Sequence, residues 1–123
     1  MKIKFIFIIY FVNLFSGCSK PQDILKSSIR QIDFGNIKKS GSYKVIFYLK
    51  NNGVNQIQIK SINSSCGCVI AIPEEDFIKP HDSIKVHLAY EPRKSGLDKQ
   101  ILTITDIKEK YKINIPVSAN VIP

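Results

Sequence analysis

Lys44-Val45-Ile46-Phe47-Tyr48-Leu49-Lys50, running into Asn51-Asn52-Gly53, is the stretch that decides the fold. Val45, Phe47 and Leu49 alternate with Lys44, Ile46, Tyr48 and Lys50, and a period of two places the two sets on opposite faces of a β-strand. Asn51-Asn52-Gly53 then reads as a turn, with Gly53 suited to a positive backbone dihedral. Working outward, Ile57 and Ile59 repeat the period, and Val69 to Ile72 forms a short strand ended by Pro73. Lys79-Pro80-His81-Asp82 turns the chain into Ile84, Val86 and Leu88, which alternate with Lys85 and His87. Glu91-Pro92 ends that strand, and Lys94-Ser95-Gly96 turns the chain again. Gln100 to Thr105 is short and β-branched, Asp106 to Lys110 is a charged turn, and Ile113, Ile115, Val117, Ala119 and Val121 alternate to the end. Pro116 lacks an amide hydrogen, so the last strand should be an edge at that point.

Roughly seven strands with this spacing predict an all-β immunoglobulin-like β-sandwich. Its expected core holds Val45, Phe47, Leu49, Ile57, Ile59, Ile84, Val86, Leu88, Ile113, Ile115 and Val117, because a one-residue slip would turn each apolar set to solvent. No segment has helical periodicity. At 123 residues, with 44% hydrophobic and 23% charged, the chain has room for one domain and is not of disordered, collagen-like or coiled-coil composition.

The N-terminal segment has a different character. Lys2 and Lys4 precede an apolar run from Phe5 to Val12 that continues through Leu14 and Phe15 to Ser16 and Gly17, the three-part layout of a secretory signal. The run is shorter than the ~20 apolar residues a spanning helix needs. Leu14-Phe15-Ser16-Gly17-Cys18 resembles the bacterial lipobox, which implies cleavage before Cys18 and acylation of its thiol and new amino terminus. The expected organisation is a lipoprotein signal peptide over 1–17, a lipid-anchored polar stem over 18–28 and the domain over 29–123. The protein is then expected in the bacterial cell envelope, extracytoplasmic, with the membrane as a partner through its lipid.

The formal net charge is +8, part of it from Lys2 and Lys4 in the segment that is removed. The remaining lysines are scattered through the strands, and Arg30 and Arg93 are the only arginines, so no nucleic-acid partner is expected. Lysines spread over strand faces discourage edge-to-edge aggregation.

No Gly-rich phosphate loop, zinc-protease helix or recognised nucleophile motif is present, and the chain is not expected to be an enzyme or to carry a cofactor. His81 falls in a turn and His87 on the outward face of a strand. Glu74-Glu75-Asp76 is an adjacent acidic run in a loop, expected to be solvated. The remaining chemical candidate is Cys66-Gly67-Cys68. Residues two apart in an extended strand have Cα atoms ~6.6 Å apart, near the upper limit for a disulfide, so Gly67 would have to let the chain bend. Three readings stand open: a structural disulfide or buried pair, a redox-labile pair, and soft-metal binding. Two thiolates with only His81 and His87 to add disfavour zinc and leave Cu(I) as the metal the motif alone could hold. A redox role would need exposed sulfurs and nearby positive charge, with Lys60 or Lys79 as candidates.

Asp33-Phe34-Gly35-Asn36-Ile37, Asn51-Asn52-Gly53, Ser64-Ser65-Cys66-Gly67-Cys68, Lys79-Pro80 and Gly96 before a strand together resemble the bacterial family known as domain of unknown function 1573, over Gln31 to Val121. The resemblance implies a secreted or lipid-anchored immunoglobulin-like domain and no established activity. Val69, His81 and Asp106 depart from the family pattern, standing where threonine, glycine and asparagine are usual. The function expected is that of a membrane-anchored, noncatalytic interaction module with an envelope protein as partner. The alternative is a thiol-disulfide or Cu(I)-handling protein using Cys66, Gly67 and Cys68.

Overall fold

A strand with one apolar face is stable only when that face is covered, and this chain covers its strands with one another. The computed structural model describes residues 24–123; the expected signal peptide over 1–17 and the expected lipidation site Cys18 lie outside the described residues. Nine strands follow in order: β1 (Leu25–Ser27), β2 (Ile32–Lys38), β3 (Tyr43–Asn51), β4 (Ile57–Ser64), β5 (Val69–Pro73), β6 (Phe77–Ile78), β7 (Ser83–Tyr90), β8 (Gly96–Asp106) and β9 (Lys112–Ile122). One sheet has the order β1-β3-β7-β5 and the other β2-β9-β8-β4-β6. All pairings are antiparallel except β2 with β9. The protein is an all-β, immunoglobulin-like sandwich.

Register shows why the alternation works. Phe47 pairs with Val86 and Leu49 with Ile84 in the first sheet, and Leu102 pairs with Ile115 in the second. All six are buried between the sheets, with Ile57, Ile59, Leu88 and Val117. Val45 and Ile113 pack against this core but are only half-buried. Leu25, Ile32, Ile37, Ile78, Tyr90 and Ile104 join it.

The two strands beyond the expected number are β1 and β6, whose three and two residues are too few to display a period. β1 begins the domain earlier than the expected boundary at residue 29: Leu25 is buried, and Leu25, Lys26 and Ser27 pair with Asn51, Lys50 and Leu49 of β3. The part of 18–28 from Leu25 onward is therefore sheet, not stem.

β9 lies between β2 and β8, but its pairing with β2 starts at Val117. Pro116 has the same parity as Ile122, whose carbonyl accepts the Lys39 N–H on the β2 side (2.9 Å). The proline thus sits where that flank is free, as expected.

Two of the family-like segments have local reasons. In β2 the register shifts between Asp33 and Asn36, Gly35 adopts φ 67°, and its N–H donates to Asp33 Oδ1 (2.9 Å). This bulge needs a residue tolerant of the left-handed region. Gly53 serves differently from expectation. Its φ is not positive; instead a Cβ there would stand 2.9 Å from Ile24 Cγ2. Close approach of the N-terminal segment, not a dihedral, is what requires glycine. His81, where the family has glycine, does adopt a positive φ of 62°.

Candidate functional site

β4 belongs to one sheet and β5 to the other, so residues 65–68 carry the chain across the end of the sandwich. Cys66 and Cys68 are joined there by a disulfide with Cα atoms 5.3 Å apart, closer than an extended strand allows, so the chain bends as the bond requires. A Cβ on Gly67 would lie 3.2 Å from Arg93 Nη2, so the glycine also makes room for a guanidinium. Ser64 Oγ stands between the Cys66 and Val69 carbonyls, 2.8 Å from the latter. The Cys68 N–H donates to Cys66 Sγ (3.2 Å) and the Cys68 carbonyl accepts the Glu91 N–H (2.9 Å). Val69 is buried in the apolar core, where a threonine hydroxyl would need a partner.

Cys66 is half-buried and Cys68 only 6% exposed. A functional pair was expected to have both sulfurs at least partly exposed at one end of the sandwich; the pair does lie at one end, with Cys66 partly exposed and Cys68 nearly covered. Both line a cavity of about 280 Å³ with Arg93, Lys94, Asp98 and Gln100. The positive charge beside the cysteines is therefore that of Arg93 and Lys94. Lys60 is engaged at the far end of the sandwich with Glu109 (2.7 Å), and Lys79 does not line this cavity. With the sulfurs bonded to each other, neither is a thiolate available to Cu(I). Among the described residues, no group of three or more His, Cys, Asp or Glu side chains is placed to hold a metal ion.

Tyr90 reaches the site through Asp98, which lines the cavity. Its ring is buried and stacked on Phe34 with centroids 5.3 Å apart, and its hydroxyl donates to Asp98 Oδ2 (2.5 Å). Gln100 Nε2 donates to Asp98 Oδ1 (2.8 Å). Burial, then the bond to Asp98 and its charge, push the phenol pKa well above its ordinary value.

The other candidates are dispersed. His87 Nε2 lies 2.9 Å from Glu74 Oε1 on the outer face. The His81 backbone N–H donates to the Asn51 carbonyl (2.7 Å). Among the described residues, neither imidazole is hydrogen-bonded to a serine or cysteine side chain. Glu75 and Asp76 are exposed.

Two features were not singled out from sequence. At the opposite end, Asn51 is fully buried: its Nδ2 donates to the carbonyls of Asn55 (2.7 Å) and Ile78 (3.0 Å), and its Oδ1 accepts the Gly53 N–H (2.9 Å). Buried Asp106 accepts the Tyr111 N–H (2.7 Å). The second feature is the outer face of the four-stranded sheet. Ile46, Ile70 and Ile72 are each more than half exposed there, with Tyr48 beside them. Register sets Ile72, His87 and Ile46 in one row and Ile70, Ala89 and Lys44 in the next. The signal was present in the sequence, as isoleucines at outward positions of the alternation.

The β5 edge of that sheet is poorly suited to accept a strand. Glu74 donates its N–H to Lys85 and Glu91 its N–H to Cys68, so the even residues of β5 face β7 and the odd ones face outward. Of the outward groups, Pro73 has no N–H and the Val69 carbonyl is taken by Ser64. Only Ala71 offers a full pair.

A family model described as Protein of unknown function (DUF1573) matches residues 25–121. Among curated proteins, none matches the chain. Similar solved structures include a protein of unknown function from Porphyromonas gingivalis W83 (TM-score 0.69, 18% identity, 79% of this chain and 46% of that one). The PapD-like domain 7 of human CEP192 is also similar (TM-score 0.65, 14% identity, 87% and 91%), as is the secreted serine protease VesC from Vibrio cholerae (TM-score 0.59, 16% identity, 79% and 23%). At these identities the likeness shows the fold alone. The chain spans less than half of the Porphyromonas protein and about a quarter of the protease.

Proposed function

The chain belongs to the family of proteins of unknown function DUF1573, and from that premise we propose that it is a noncatalytic interaction module, anchored to the outer side of a bacterial membrane through Cys18. The carrying observation is the outer face of the β1-β3-β7-β5 sheet, where Ile46, Ile70 and Ile72 form an exposed apolar patch. Exposed isoleucines gathered on one sheet face, here on either side of the His87–Glu74 pair, are a docking feature. Lys44, Lys50 and Lys85 lie exposed on the same face, so the fitting partner is an extracytoplasmic protein surface with an apolar centre and acidic rim. Because the β5 edge is blocked by Pro73 and Ser64, a strand is poorly accepted beside these isoleucines, and the contact proposed is through the sheet face. The acyl chains on Cys18 supply the membrane attachment.

The test is recovery of crosslinked partners from membranes carrying the wild type, an Ile46→Asp, Ile72→Asp variant, or a Cys66→Ser, Cys68→Ser variant. Loss of the partner in the aspartate variant alone supports the module. Equal recovery from wild type and aspartate variant refutes the face.

A second reading, reversible thiol-disulfide exchange, is favoured by one observation, the cavity in which Arg93 and Lys94 lie beside the disulfide. Positive charge there would favour a thiolate on reduction. Incubation of the folded protein with a graded glutathione buffer, read by thiol trapping, decides it: no conversion of Cys66 and Cys68 across the range removes this reading.

A further inference from the structure

The end of the sandwich opposite the disulfide is also apolar and exposed. Val54 is 80% exposed, and Ile107 and Phe77 are about half exposed. With Ile24 they line a cavity of about 350 Å³, whose rim carries Lys108 and Lys110. Between those lysines Glu109 pairs with Lys60 at 2.7 Å, which holds its carboxyl below the usual range. The Asp106 carboxylate also lines the cavity but is buried, accepting the Tyr111 N–H, and Lys110 lies over the Tyr111 ring. On adjoining loops Asp82 and Asp76 are exposed but do not line the cavity. The exposed charge on the cavity rim is that of Lys108 and Lys110, and it is positive.

This is also the end at which the chain enters the domain. The Ile24 carbonyl accepts the Asn52 N–H (2.7 Å), and Gly53 packs against its side chain. Cys18 precedes Ile24 by only a few residues, a reach of about 20 Å at most when fully extended. The disulfide end lies the length of β8 away, about 35 Å.

We infer that this end, formed by Val54, Phe77, Ile107, Lys108 and Lys110, seats on the surface of an anionic lipid bilayer, an inference that rests on the lipid anchor at Cys18 proposed above. Apolar side chains in the acyl boundary with ammonium groups at phosphate level are what such a surface accepts. The tether fixes which end meets the bilayer, and the contact fixes the tilt. Seated this way, the strands stand up from the membrane, and the Ile46–Ile70–Ile72 face points sideways toward a neighbouring envelope protein.

The chain contains no tryptophan, so a single indole is a clean reporter. Full-length mature Val54→Trp and Leu97→Trp proteins, purified from membranes, are combined with vesicles of phosphatidylethanolamine and phosphatidylglycerol carrying brominated acyl chains. Val54→Trp is expected to be quenched and blue-shifted, and Leu97→Trp, at the disulfide end, to stay solvent-like. Lys108→Gln and Lys110→Gln should each lower the docked-to-free ratio roughly fivefold, and phosphatidylcholine vesicles, which remove the contribution of both lysines, should lower it roughly thirtyfold. Equal, solvent-like emission from both reporters overturns the inference. So does a Val54→Trp emission already shifted before lipid is added and dependent on protein concentration, which would mean that a second protein surface covers this end. The mass of the same sample reports Cys18 separately. An unmodified Cys18 removes the anchor while added vesicles still read the docking; an acylated Cys18 with unquenched Val54→Trp removes the docking alone.

Discussion

At one end of the sandwich the chain is tied by a covalent bond, Cys66–Cys68, and at the other by two buried polar side chains, Asn51 and Asp106. The covalent tie looks the stronger, but magnitudes reverse the order. A disulfide stabilises mainly by restricting the unfolded chain, and a ring closed across one intervening residue restricts it little, by about 1.5 kcal/mol in the chain-entropy account. Asn51 joins the start of a loop, a carbonyl of that loop and the β6 backbone. Removing it deprives the buried Ile78 carbonyl and the part-buried Asn55 carbonyl of this donor, and a buried group left unpaired costs about 1–3 kcal/mol. The lesson is that the polar end carries more of the fold, leaving the disulfide end freer to serve another purpose.

The comparison breaks first, if it breaks, at Asn51. Asn51→Ala is expected to lower unfolding free energy by about 3 kcal/mol in a denaturant titration, from a total of the usual 5–15; a loss below about 1 kcal/mol would place the stability elsewhere. Next comes the disulfide: Cys66→Ser with Cys68→Ser should cost about 1.5 kcal/mol in the same titration. A cost exceeding that of Asn51→Ala would invert the ranking.

Tyr90 sharpens the disulfide end further. Tyr90→Phe removes the hydroxyl that donates to Asp98 and should cost about 1 kcal/mol at neutral pH. Because folding raises the phenol pKa, its contribution is complete below the ordinary value of about 10 and declines as pH rises toward the folded value. Between pH 9 and 11 the wild-type denaturation midpoint should therefore fall faster than that of Tyr90→Phe, and parallel curves would contradict the assignment.

The smallest effect has the opposite sign. His81 holds φ 62°, a conformation that costs a side-chain-bearing residue about 1–2 kcal/mol, partly offset by the greater unfolded-state entropy of glycine. His81→Gly should raise stability by about 0.5 kcal/mol, seen as a higher thermal midpoint; a lower one would show that the imidazole makes a contribution outweighing the strain.

The alternation around Phe47 and Val86 was enough to predict a two-layer β fold, because the side of a strand a residue occupies is local geometry. His81 shows the same legibility in a loop: its departure from a glycine-favouring pattern corresponds to a positive φ that the chain still adopts. Outward isoleucines at 46, 70 and 72 were likewise visible, though not that three strands would gather them into one patch.

The sequence by itself determined which positions are apolar on each strand, where the turns fall and which family the chain resembles, all properties of residues near one another along the chain. Only the tertiary structure decided that Arg93 lies over Gly67, that Asn51 reaches the Ile78 carbonyl, that three residues beside the stem form β1, and that Val54, Phe77 and Ile107 share one end. Those outcomes depend on which strands become neighbours, and that choice is made by the collective packing of two sheets; a period of two says which way a side chain points and nothing about what it will meet.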